Sequence, residues 1–136
     1  MKVARKTHDQ IVVDLPYPCK FKIFGNRFYR KRRIGFMFVN LTVLLFREAN
    51  GLRDSEDLKK WIDNNSYSEL AFQSIYYAAV AYNMFYRKPD NFDMEGFRLA
   101  VNNADQSVLE NILAVSKSSE TFGVTIKKKQ EKGKSK

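Results

Sequence analysis

The chain is poor in the residues that most often carry chemistry. Its 136 residues include one cysteine, Cys19, and one histidine, His8. A single cysteine excludes an internal disulfide framework and a multi-cysteine zinc site. His8 lies in a polar N-terminal stretch and, with Cys19, makes a poor metal pair that lacks a third ligand. There is no Gly-rich phosphate loop with a lysine, no H-E-x-x-H and no G-x-S-x-G. A Ser/His or Cys/His dyad would have to recruit His8. The expectation is a protein with no catalytic residues, no metal and no cofactor, and not an enzyme. Long apolar runs are missing too. Met1–Gln10 is polar and no signal-peptide core follows it. The longest apolar stretch, Ile34–Phe46, is broken by Gly35, Asn40 and Thr42 and is well short of the roughly 20 residues of a membrane span. A soluble, intracellular protein with no membrane partner is expected. No internal repeat is visible.

What is present is enough apolar sequence for a core, 44% hydrophobic residues, and a net charge of +9. The charge is uneven. Residues 1–33 hold ten basic and two acidic residues, residues 34–126 eight and twelve, and residues 127–136 six and one. The body is mildly acidic and both ends are basic, so a uniformly basic nucleic-acid module is not the first reading. Length predicts a single domain, since one domain takes roughly 150 residues.

Residues 1–14 read as a basic lead-in that is either mobile or adds a short strand. Pro16 and Pro18 disfavour helix around them. Lys20–Ile34 reads as a β-hairpin, with period-two alternation and a turn at Gly25-Asn26. Phe36–Asn50 reads as a first helix, apolar almost all round, with Gly51 placed to cap its end. A second helix spans residues 55–64, with Asp54 or Ser55 as cap. Asp54, Glu56 and Asp57 can in principle hold a divalent cation, but capping and the helix dipole explain the same residues. Ser66 and Glu69 form a capping-box pattern that opens the longest helix, residues 67–87. Phe72, Ile75, Tyr76, Ala79, Tyr82 and Tyr86 share one of its faces, and Leu70, Tyr77, Ala81 and Met84 lie roughly opposite. Such a helix packs on two sides, against its own core and against a second layer or a partner. Asp93 caps a fourth helix (94–102), and Asn103 with Gln106 caps a fifth (104–118). The lysine-rich residues 121–136 are expected to be disordered. The predicted fold is mainly α within the α+β class: an N-terminal hairpin followed by about five helices in one bundle-like domain, residues 15–120.

The basic hairpin is the sharpest local feature. Lys20, Lys22, Arg27, Arg30, Lys31, Arg32 and Arg33 interleave with Phe21, Phe24, Phe28 and Tyr29. Cations between exposed aromatics suit single-stranded nucleic acid. The same cations can instead guard a solvated hairpin against strand pairing, or meet an acidic protein.

The order of elements resembles the tail assembly chaperones of long-tailed bacteriophages and related gene-transfer-agent proteins. The likeness covers about Phe21–Glu120. A hairpin is followed by an apolar helix ending in "REANGL" (Arg47–Leu52), a short acidic-capped helix, and a long helix with "IYYAAVAYNMF" (Ile75–Phe85). Then come "FDMEGFRLAVNN" (Phe92–Asn103) and a last helix ending in "ILAVSKSSE" (Ile112–Glu120). The strongly basic hairpin departs from the family pattern. The resemblance implies a non-enzymatic protein in the cytoplasm of an infected bacterial host. Such a protein coats the long, apolar, helical tape-measure protein and helps recruit tail-tube subunits. It also implies a longer form made by ribosomal frameshifting, for which Lys127-Lys128-Lys129 is a candidate position. The residues themselves point the same way in one respect. Nineteen aromatics (eleven Phe, seven Tyr, one Trp) and two helices apolar on several faces suit a helix-binding chaperone or a homo-oligomer. Leu41, Leu45, Tyr77 and Met84 are the candidate contacts. The alternatives are a nucleic-acid-binding accessory protein using the hairpin, and a structural subunit of the virion.

Overall fold

Alternating apolar residues along Ile11–Tyr17 build the sheet. The structure, a computed structural model, describes residues 3–7, 9–89 and 92–118. Strand β2 (Gln10–Ile23) places Ile11, Val13, Leu15 and Tyr17 on one face, as period two requires, and all four are buried. Strand β3 (Asn26–Met37) returns antiparallel, with Ile34 opposite Val13 and Phe36 opposite Ile11. Strand β1 (Val3–Lys6) pairs along the other edge of β2, giving the order β1-β2-β3.

The strands reach well beyond the expected hairpin at 20–34. Residues 10–14, read as lead-in, belong to β2, and Phe36 and Met37, read as helix, belong to β3. The reason is burial on both faces. Phe36 faces the main core while Met37 packs on the opposite face with Val12 and Tyr82, so no alternation shows in the sequence. Pro16 and Pro18 sit inside β2. They are tolerated because, among the described residues, β1 pairs with β2 only as far as Val13, short of the prolines.

The hairpin turn is at Phe24-Gly25, flanked by the pair Ile23 and Asn26, and not at Gly25-Asn26. Both central residues have positive φ, 53° and 79°, as a type I′ turn demands. Burial of Ile11, Val13 and Leu15 against Ile34 and Phe36 sets the register. A bulge between Pro18 and Lys22 absorbs the mismatch with the turn, and a Gly25-Asn26 turn would leave the strands further out of step.

Five helices follow the hairpin: α1 (Asn40–Ala49), α2 (Ser55–Asn64), α3 (Tyr67–Phe85), α4 (Met94–Asn102) and α5 (Gln106–Ser118). Their ends follow local chemistry. In α1, the amides of Gly51 and Leu52 donate to the carbonyls of Glu48 and Arg47, and Gly51 takes φ 67°. This is a Schellman motif. The same pattern ends α3 at Phe85, short of the expected residue 87, with Arg87 in the left-handed position at φ 53° and the Lys88 amide donating to the Asn83 carbonyl. At the start of α3, Ser66 Oγ accepts from the Glu69 amide (3.1 Å). Glu69 does not complete the expected box. Its carboxylate accepts instead from Gln73 and Arg98. Asn103 closes α4, donating to the Leu99 carbonyl, and does not open α5, which begins two residues later than expected. Asp54 accepts from the Asp57 amide, and Asp57 in turn accepts from the Arg53 amide, so both carboxylates serve the cap of α2.

The main core lies between one face of the sheet and three helices. Ile11, Val13, Leu15, Ile34 and Phe36 meet Phe72, Ile75, Ala78 and Ala79 of α3, Phe97 of α4, and Val108, Ile112 and Val115 of α5. On its other side α3 meets α1 and α2 through Leu70 and Tyr77, which cluster with Phe46, Trp61 and Ile62. The second layer expected for α3 is thus supplied by the chain itself. Helices α1 and α3 run antiparallel: Val39, just before α1, clusters with Tyr82, whereas Phe46 clusters with Leu70.

Candidate functional site

Two surfaces gather the candidate residues. The first is the outer face of α1. Thr42, Val43 and Phe46 point inward, with Thr42 and Phe46 buried. Leu41, Leu44 and Leu45, at i, i+3 and i+4, therefore share the opposite face. Leu44 is 59% exposed, and Leu41 and Leu45 are half-buried. Met84 and Phe85 end α3, 53% and 63% exposed, and Tyr86 follows as its cap. The antiparallel packing puts the start of α1 and the end of α3 at the same end of the pair. Tyr86 is held there by its neighbour Tyr82, 4.6 Å away between ring centroids, and by donation from its hydroxyl to Gln10 Oε1 (3.0 Å).

Of the four apolar candidates, Met84 is exposed, Leu41 and Leu45 lie on the solvent side of α1, and Tyr77 is half-buried in the α1–α2–α3 cluster. The Tyr77 ring meets Phe46 and Tyr76 edge-on. Leu44, Tyr67 and Phe85 are exposed apolar residues outside the sequence-derived candidates. Leu44 was legible from its spacing to Leu41. Phe85 was not, because it is set by where α3 stops.

The second surface is the distal hairpin. Helical cover ends near Tyr17 and Arg32, where the Arg32 guanidinium lies 4.8 Å from the Tyr17 ring and 4.6 Å from the Phe92 ring. Every residue from Asn26 to Lys31 is exposed. The seven candidate cations divide accordingly. Arg32 is half-buried against the two aromatic rings. Arg33 Nε donates to the buried Asp14 carboxylate at 3.2 Å while the rest of its side chain is exposed. Arg27, Arg30 and Lys31 are exposed and make no ion pair among the described residues. The side chains of Lys20 and Lys22 lie outside the described residues, as do His8 and residues 119–136, including the lysine-rich tail.

Period two places Arg27, Tyr29, Lys31 and Arg33 on one face of β3, at a spacing of about 6.7 Å. Phe28 and Arg30 occupy the other. Phe28 and Tyr29 are exposed, and Phe24, at the tip, is 98% exposed.

Nothing else among the described residues gathers into a reactive cluster. No group of three or more His, Cys, Asp or Glu side chains is placed to hold a metal. No helix is long and apolar enough to cross a membrane. Cys19 is half-buried. The Glu69 carboxyl is held below its usual range, first by the hydrogen bond from Arg98, and the Arg98 guanidinium also lies 3.9 Å from the Phe72 ring. That arrangement joins α3 to α4. Burial pushes the Tyr17 and Tyr76 phenols up, and the Tyr76 hydroxyl donates to the Phe92 carbonyl. These are packing roles. No protein-family model matches the chain, and no curated protein or solved structure is significantly similar to it.

Proposed function

We propose that this protein is a non-enzymatic assembly chaperone that binds an apolar helix of a larger structural protein, the role tail assembly chaperones have toward the tape-measure protein. The observation that carries the reading is the stripe Leu41–Leu44–Leu45. It faces solvent at helical spacing on a helix whose other face is already buried. Apolar anchors at i, i+3 and i+4 are the currency of helix-to-helix recognition. Met84 and Phe85, at the end of α3 where α1 begins, add apolar area to the same region. The order of hairpin and five helices, the basis of the resemblance, agrees with this role. On this reading the partners are the tape-measure protein and, during recruitment, the tail-tube protein, in the cytoplasm of an infected bacterial host.

The test is affinity capture after coexpression with a tape-measure gene product. The wild-type chain should retain that product, and Leu44→Asp should lose most of it while keeping the wild-type helical circular dichroism. A wild-type chain that captures none of it sinks the proposal. A structural virion subunit would instead persist in purified particles, where a chaperone is absent.

A further inference from the structure

We infer that the distal hairpin is a second, independent binding element, and that its ligand is single-stranded nucleic acid. Phe24 occupies the first central position of the hairpin turn. A two-residue type I′ turn favours Asn, Asp or Gly at its first central position, because positive φ crowds any larger side chain. Here that position holds a phenylalanine at φ 53°, 98% exposed. Neither local geometry nor packing within the chain favours it there. Strain of this kind, kept without internal compensation, points to function.

The surroundings say what kind of ligand. Behind the tip, the exposed residues from Arg27 to Lys31 are all cations or rings: Arg27, Phe28, Tyr29, Arg30, Lys31. On one face Arg27, Tyr29 and Lys31 form a straight row that continues to Arg33. Asp14, across from Arg33 on β2, is already paired with it. A linear row of cations interrupted by a flat ring complements an extended polyanion that also presents flat faces. Phosphates supply the charge, and bases stack on Tyr29 and Phe24. An acidic protein would satisfy the cations but leave the exposed rings without a matching feature. The element stands clear of the helices. Strand rise alone carries the tip about 15 Å beyond Tyr29, so the binding does not involve the α1 surface.

The experiment uses the full chain and a fluorescein-labelled 20-mer of thymidylate, followed by anisotropy over a range of salt concentrations. The wild type should bind with an affinity that falls steeply with salt. On a single strand each phosphate contact removed should reduce the salt slope by about 0.7, so Arg27→Gln with Lys31→Gln should lower it by about 1.4. Phe24→Gly should weaken binding about fivefold or more at an unchanged slope, since one stacked ring is lost. That variant relieves the strained φ, so it should be at least as stable as wild type, and lost affinity cannot be attributed to unfolding. The inference is overturned if the 20-mer does not bind, if both variants bind like wild type, if duplex of the same length binds as tightly, or if polyglutamate competes as well as the oligonucleotide. The last result would assign the hairpin to an acidic protein. The hairpin variants leave the leucine stripe intact, so capture of the tape-measure partner succeeds or fails separately.

Discussion

Gly35 offers the most direct check on how α3 is seated on the sheet. It lies in β3 opposite Val12, and the Tyr82 ring of α3 lies over it. A β-carbon at residue 35 would overlap the Cδ1, Cε1 and Cζ atoms of that ring. Strand glycines commonly mark such close approaches. In Gly35→Ala, Tyr82 must leave its place or β3 must shift. Overpacking of this kind costs about 1–3 kcal/mol, against a gain of about 0.5–1 kcal/mol from replacing a strand glycine. A net loss of about 1–2 kcal/mol follows. Tyr82→Ala alone removes a buried ring and should cost about 3–5 kcal/mol. In that background the added methyl has nothing to strike, and Gly35→Ala becomes neutral or stabilising. The two substitutions are therefore expected to couple by about 2 kcal/mol. Urea denaturation of the four proteins of the cycle, followed by circular dichroism, measures this. Additive effects, within about 0.5 kcal/mol, would refute the claim that the glycine exists to admit the ring.

Other expectations rest on single observations. Thr42, fully buried, donates to the Met37 carbonyl and accepts from the Val39 amide. Thr42→Val keeps the shape but strands both groups, so denaturation should report a loss of about 1–3 kcal/mol. Arg87 closes α3 with φ 53°, and Arg87→Gly should stabilise by about 0.5–1 kcal/mol, read as a raised urea midpoint. Glu69 has a lowered pKa in the folded protein. Its contribution is therefore complete above the unfolded carboxylate value of about 4.3 and is lost as pH falls through the lower native value. Stability measured against pH should show a shallower acid limb in Glu69→Gln than in wild type.

The parts of the fold that were legible in the sequence are those with a single controlling pattern. The second and fourth helices carry Asp54 and Asp93 as caps before short amphipathic stretches, and their spans, 55–64 and 94–102, agree with the structure. Long-range pairing was harder to read. Phe36 and Met37 form a strand because Val12 and Tyr82 cover one face and the main core covers the other, which no local period reveals. The turn moved by one residue because register is settled by Ile11 and Val13, far from the turn. For the candidate surfaces, charge and aromatic interleaving point to the hairpin, but only the structure separates Arg32 and Arg33, held by rings and by Asp14, from the exposed Arg27, Arg30 and Lys31. Tyr77 looked like spare apolar surface because the α1–α2 layer that half-buries it is assembled by the tertiary fold.

The chaperone reading makes one claim that can be measured without knowing the contact geometry: the partner's solubility should depend on this chain. A helical fragment of the tape-measure protein should sediment when expressed alone and stay in the supernatant when coexpressed with the wild-type chain, with Leu44→Asp giving much less protection. A fragment that sediments equally with and without the wild-type chain would contradict the account.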